Sequence, residues 1–316
     1  MNKTREMVES SLLMALAVVL FLAGYVLPVV GMIFSLVCPA PLVVLGLRHS
    51  MARSVLGVFV ASILVSAFTG VTGGLFFLLG FGILGVGLGI LARRLNSSVE
   101  ILLWGVLVSL AGKLLLMVLV AKITGVNPMG LGPEEVGSVI DSVLAVYQRM
   151  GMSPETLATA EKQIRSTLSL LPYVFPALLI MASALDCFLS YVVSRSVLKR
   201  IGRGVLPPVP ALSYWRFPRN LFWALLVAVL LSMAAYIENV PPVIPRIGLN
   251  LRILVMILFY LQGLAVAWAF MCVKKAPKIL RFIGVFLTLF VPLLTQLAVI
   301  LGIIDMWFDI RSKFRR

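Results

Sequence analysis

Apolar residues run through this chain in long blocks, at about 9–28, 32–47, 54–69, 75–92, 101–121, 172–194, 220–237, 250–272 and 282–304, with polar and basic clusters between them. A block of roughly 20 residues, rising about 1.5 Å per residue as a helix, is long enough to cross a hydrocarbon core. The pattern therefore predicts an all-α polytopic transmembrane helix bundle of eight or nine spans. The second and third blocks are short for a full crossing and are expected to be tilted or partly re-entrant. The stretch from Pro172 to Arg203 organises the rest, because it carries one carboxylate, Asp186, deep in an apolar helix and ends in Arg195, Lys199, Arg200 and Arg203. An aspartate at bilayer depth costs on the order of 3 kcal/mol, so it should face other helices or a cavity and find a partner.

Between the fifth and sixth blocks lies one long loop, 122–170. Pro133, Glu134 and Glu135 open a helix there, and Val136, Val139, Ile140, Val143, Leu144 and Tyr147 recur at helical spacing on one face. Gly151 ends it, and Ser153 with Pro154 begins a second helix with Leu157, Ile164 and Leu168 on one side. Two readings fit this pair: helices lying in the membrane interface, or a cap over an outward-facing cavity. Pro207, Pro208 and Pro210 forbid a helix in the basic connector, which divides the chain into a core at 1–203, the connector at 204–219 and C-terminal membrane helices at 220–316. Trp215, Phe217 and Arg219 read as interfacial anchors. Gly82, Gly85 and Gly89 share one helical face and mark a close packing surface. Pro292, in the middle of the last block, allows a kinked or hairpin passage. The ending GIIDMWFDIRSKFRR reads as a membrane-surface anchor.

Composition narrows the class further. Hydrophobic residues make up 61% of the chain, charged residues only 12%, and the mean hydropathy is +1.10, far from the roughly 25% charged residues of a soluble domain. The net charge of +15 sits in short loops, where it sets topology and meets anionic lipid, so no nucleic-acid partner is expected. With a cytoplasmic N-terminus, sixteen basic residues fall on the inner side and six on the outer. That bias makes this a multi-pass protein with its N-terminus on the cytoplasmic side. Nine crossings would then put Arg311, Lys313, Arg315 and Arg316 outside, against the same rule. The opening MNKTREMVES reads as the start of a retained helix, with no clear cleavage site.

Chemistry is sparse. Cys38, Cys187 and Cys272 lie far apart in apolar segments and read as small buried hydrophobes. His49 is the single histidine, no metal-ligand spacing occurs, and Gly112-Lys113 lacks the glycine and Ser/Thr of a phosphate loop, with Leu107 and Leu114 in those places. An enzyme is disfavoured, no cofactor is expected, and non-covalent binding, transport or scaffolding is left. Lys113 lies about 20 Å above Glu100 and Asp186 about 13 Å above Arg195, so the two are expected to pair in the bundle interior. The pair serves either as a packing lock or as part of a solute site. Gln262 and Gln296 sit near the middle of the eighth and ninth blocks, where each can bond a neighbouring helix. Asn250 and Arg252, at the outer start of the eighth, are placed to meet an anionic group at a cavity mouth, or Arg252 to snorkel. The candidate solute-binding set is Lys113, Asp186, Gln262, Asn250 and Arg252.

Two resemblances extend this reading. SLLMALAVVLFLAGYVLPVVG, the short Gly/Pro-rich segments after it and LGFGILGVGLGILARR resemble the substrate-binding S components of energy-coupling-factor vitamin transporters over residues 1–203. That likeness implies a six-helix core with both ends cytoplasmic, a small-molecule solute, and separate ATPase and coupling subunits as partners. Those proteins carry an AxxxA pattern on the first helix, where this chain has Ser11 and Ala15. ALDCFLSYVVSRSVLKRIG, the connector ending YWRFPR, GLNLRILVMILFYLQGLAVAW and GIIDMWFDIR resemble the YybS-like family of bacterial membrane proteins over nearly the whole chain. That second resemblance implies no particular activity.

Overall fold

The computed structural model describes residues 3–27, 31–125, 133–201 and 206–314, and among them every regular element is helical. Helices satisfy their own backbone groups, which apolar surroundings require. In chain order they are α1 Lys3–Val26, α2 Gly31–Val37, α3 Pro39–Arg48, α4 Met51–Leu75, a π-helical stretch Phe76–Gly82, α5 Ile83–Arg94, α6 Ser98–Thr124, α7 Pro133–Arg149, α8 Pro154–Ile201, α9 Leu221–Met233, α10 Val243–Val273, α11 Lys278–Phe290, α12 Pro292–Phe308 and α13 Ile310–Phe314. Two compact units emerge, one of residues 1–165 and 178–209, the other of 166–177 and 210–316.

Five helical runs are long and apolar enough to cross a membrane: Thr4–Val26, Met51–Arg94, Ser98–Thr124, Pro154–Arg200 and Val243–Val273. The α11–α12 pair adds a sixth only if its 106° bend is counted within one span. The sequence pattern predicts more, and the difference has three causes. Ile33–Arg48 and Leu221–Tyr236 are apolar but short. The run 51–94 contains two of the predicted blocks, because Gly70, at φ 77° and ψ 174°, turns the chain back on itself. That backbone conformation needs a residue without Cβ. The two legs pack antiparallel, with Gly74 against Ser66 and Gly82 against Val58. Finally, the ninth block is broken where Pro292 begins α12.

In the first unit, α1, α3 and the folded-back leg enclose Phe21, Leu42, Val58 and Phe77. Phe21 meets Phe77 edge-on at 5.3 Å between centroids. The expected glycine face is the packing surface of this unit: Gly85 fits against Leu42 and Gly89 against the backbone of Val43 and Leu47. A second cluster joins Leu88 and Ile101 to Tyr191 and Leu198 of α8, with Leu206 of the connector. Cys38 and Cys187 are buried and Cys272 is partly buried, all as free thiols.

The second unit packs α9, α10 and α12 around Val255, Phe259 and Met306. Gly263 lies against the carbonyl of Ala298 and Gly302 against that of Phe259, so α10 and α12 cross at backbone distance. The amphipathic helix expected in the outer loop is α7, with Ile140 buried; the side chains of Glu134 and Glu135 lie outside the described residues. The helix expected from Pro154 does not end before the sixth block. It continues through Pro172 and Pro176 as α8, 48 residues long.

Candidate functional site

Lys113 projects from the middle of α6 and Asp186 from α8, and in the first unit they meet, Lys113 Nζ lying 2.7 Å from Asp186 Oδ2. One turn away on α6, Ser109 Oγ accepts a second hydrogen bond from Lys113 Nζ at 2.8 Å. Small residues bring the helices this close. Gly105 sits against Cys187 and Leu88, Gly112 against the carbonyl of Leu79, and Cys187 Sγ donates to the Leu102 carbonyl at 3.6 Å. The two charges are unequally covered: the side chain of Lys113 is 17% exposed and that of Asp186 49%. The pair therefore forms as expected but on the flank of a filled helix crossing. An ammonium holding two acceptors and a half-open carboxylate can bind a further polar group.

The other predicted residues lie in the second unit. Asn250 does not face an open mouth. Its Oδ1 accepts the Ala177 amide at 2.8 Å, and its Nδ2 donates to the carbonyls of Tyr173 at 2.7 Å and Arg246 at 2.8 Å. A straight helix would join Ala177 N–H to Tyr173 C=O directly. The side-chain amide bridges this pair beside Pro176, giving partners to an amide and a carbonyl that the proline kink would separate. Both Asn250 donors are thus engaged. Arg252 is exposed, as is Gln296. Gln262 is buried, accepting the Phe217 amide at 2.9 Å and donating to Asp305 Oδ2 at 2.9 Å.

Gln262 belongs to a network that the sequence did not announce. Arg311 and Asp305 form an ion pair at 2.7 Å with both side chains 2% exposed. Arg311 Nε and Nη2 donate to Asp305 Oδ2, and Nη1 to the carbonyls of Ser213 and Trp215. Positions 305 and 311 are not on one helical face. The chain turns at Asp309, with φ 41° and ψ 58°, before α13, and that turn brings the guanidinium back over the carboxylate. Within GIIDMWFDIR, read from sequence as a surface anchor, Asp305 and Arg311 form a buried clamp on the connector while Trp307 and Phe308 stay exposed. Because Arg311 holds residues 213 and 215, the start of the basic tail lies at the same end of this unit as the connector. Residues 206–208 of the connector are held in turn. In the first unit Tyr191 Oη donates to the Pro207 carbonyl at 2.6 Å, Ser98 Oγ to that of Pro208 at 3.0 Å and Arg195 Nε to that of Leu206 at 3.2 Å.

Comparison with known proteins agrees with a membrane protein. The family described as "Predicted membrane protein (DUF2232)" matches residues 15–306. The protein of Bacillus subtilis (strain 168) named "Uncharacterized protein YybS" is 25% identical over 323 residues, across the full length of both chains. No solved structure matches the chain.

Proposed function

The chain belongs to that family of membrane proteins, and from that premise we propose that it is a small-solute binding component of a transport system in the bacterial cytoplasmic membrane. The first unit acts as an S-component-like core, and separate coupling and ATPase subunits supply energy. One observation carries this reading: Asp186, within an apolar stretch of α8, keeps half of its side chain uncovered while paired with Lys113. An open carboxylate facing hydrocarbon is costly, so the working state needs something polar against it, and a solute bearing an amine, amide or hydroxyl supplies that. Asn250 and Gln262, whose bonds are made within the protein, hold the second unit together and leave recognition to the Lys113–Asp186–Ser109 group. Helix α7 and the first turns of α8, at 154–165, then serve as the outer cap of the site.

The orientation that fits is an internal N-terminus with the tail on the same side. Basic clusters at Arg48–Arg53, Arg93–Arg94, the connector and Lys274–Arg281 favour that side, and the clamp between Arg311 and the connector supports a tail there too, with α11–α12 re-entrant. A C-terminal green-fluorescent fusion should fluoresce, and a C-terminal phosphatase fusion should be inactive; the reverse would overturn this orientation.

Thermal unfolding of the detergent-purified protein against a panel of vitamins and small metabolites tests the solute reading. At least one chemical class should raise the Tm of the natural protein and leave Asp186→Asn unchanged. A panel without a responder argues for the second reading, a scaffold or assembly partner with no transport activity. The packing of Gly105 and Gly112 onto their neighbours favours that alternative, since it fills the crossing behind the pair. In that case a partner's transmembrane helix covers Asp186, and affinity purification from crosslinked membranes recovers a stoichiometric partner that Asp186→Asn loses.

A further inference from the structure

A second polar place in the first unit lies away from the ion pair, where α4 begins and α5 ends. A pocket of about 290 Å³ is lined there by Ser50, Met51, Ile90, Arg93 and Arg94. Four arginines cluster around this turn of the chain, and they are not equivalent. Arg48 pairs with Glu9 and Arg53 with Glu6. Among the described residues no carboxylate pairs with Arg93 or Arg94. Arg93 is held in place, its Nη1 donating to the His49 carbonyl at 2.8 Å.

Two uncompensated guanidinium groups at one pocket call for an anion, and the other lining groups narrow which one. Ser50 begins α4 but makes no capping bond with its hydroxyl, so that hydroxyl is available beside the first-turn amides. Guanidinium, hydroxyl and amide donors together suit the tetrahedral oxygens of a phosphate, which can accept from several directions. Met51 and Ile90 add an apolar wall, as the glycerol end of a lipid would need. The end of α5 offsets part of the arginine charge through its dipole, yet that does not explain a pocket whose polar groups are donors.

We propose that this pocket binds a phosphate group, carried either by an anionic phospholipid headgroup or by a free phosphate. Delipidated full-length protein in a non-ionic detergent is titrated in separate arms with phosphatidylglycerol mixed micelles, with a phosphate-free glycolipid, and with inorganic phosphate, reading Tm. Arg93→Gln with Arg94→Gln is the principal variant, because glutamine keeps a donor for the His49 carbonyl; Ser50→Ala is the milder one. The expected result is a saturable rise in Tm with phosphatidylglycerol or phosphate, none with the glycolipid, and a midpoint about tenfold higher in the double variant. A response to phosphatidylglycerol alone assigns the lipid, and a response to inorganic phosphate assigns the free anion. Equal responses in the natural protein and the double variant, or none in either arm, overturn the proposal.

Discussion

The two units each carry an ion pair of the same length, 2.7 Å, in a chain with few charges to place, and the pairs are built to opposite ends. Around Arg311 and Asp305 all three guanidinium nitrogens are engaged, and the carboxylate also takes the Gln262 amide. Both side chains are 2% exposed, so nothing further can approach. Around Lys113 and Asp186 the network stops at Ser109, with Asp186 49% exposed. Distance alone does not separate a lock from a site. Burial and leftover hydrogen-bonding capacity do: the second unit's pair is sealed, and the first's keeps a half-open carboxylate, as the proposed solute site requires.

The comparison breaks most visibly at Arg311. Arg311→Ala leaves a buried aspartate without its cation and strips the connector carbonyls of their donors, a loss of about 3–5 kcal/mol. In detergent this should appear as a large fall in Tm or failure to accumulate, and Arg311→Lys should recover little, because an ammonium cannot fork between Asp305 and two carbonyls. If Arg311→Ala unfolds no earlier than Lys113→Ala, the contrast between the pairs is wrong. A smaller effect, about 1–3 kcal/mol, is expected of Asn250→Leu, which leaves the Ala177 amide and Tyr173 carbonyl beside Pro176 without their bridge. Hydrogen exchange should then quicken in α8 around residues 173–177 while the ends of the helix stay protected. Uniform protection would show that α8 closes the gap unaided.

What could be read in the sequence follows from the range over which each signal acts. The bundle class, the glycine face on α5 and the meeting of Lys113 with Asp186 are set by periodicity and by the penalty on charge at depth, so each could be inferred from its own segment. Gly70 was harder, because one left-handed residue between two apolar blocks looks like any short loop until Gly74 is seen against Ser66. The continuity of α8 through Pro172 and Pro176 was invisible, since local rules end a helix there; the rescue comes from Asn250, more than seventy positions later. The Asp305–Arg311 clamp was not foreseen for a similar reason. Its charges sit at a segment end, where snorkelling is the ordinary expectation, and only the turn at Asp309 folds them inward onto residues 213–217. Such long-range repairs have no periodic trace.

The smallest stability change and the sharpest test belong to Lys113 and Asp186. Polar contacts between membrane helices are worth about 0.6 kcal/mol on average and seldom more than about 1.7, and a half-open carboxylate has less to lose than a sealed one. Asp186→Asn should cost more than Lys113→Met, because it leaves the better-covered charge with Ser109 and a weaker amide acceptor, whereas Lys113→Met leaves the carboxylate where it can take up water or a proton. The double variant should be nearly as stable as either single one, both charges having gone together. Solute response, by contrast, should vanish in all three. A coupling energy as large as that of the Arg311–Asp305 pair, with any ligand response intact, would make Lys113–Asp186 a second lock and move recognition elsewhere. Small coupling with ligand response lost is the outcome the proposed solute site requires, because a half-open pair gives up little stability when it is removed.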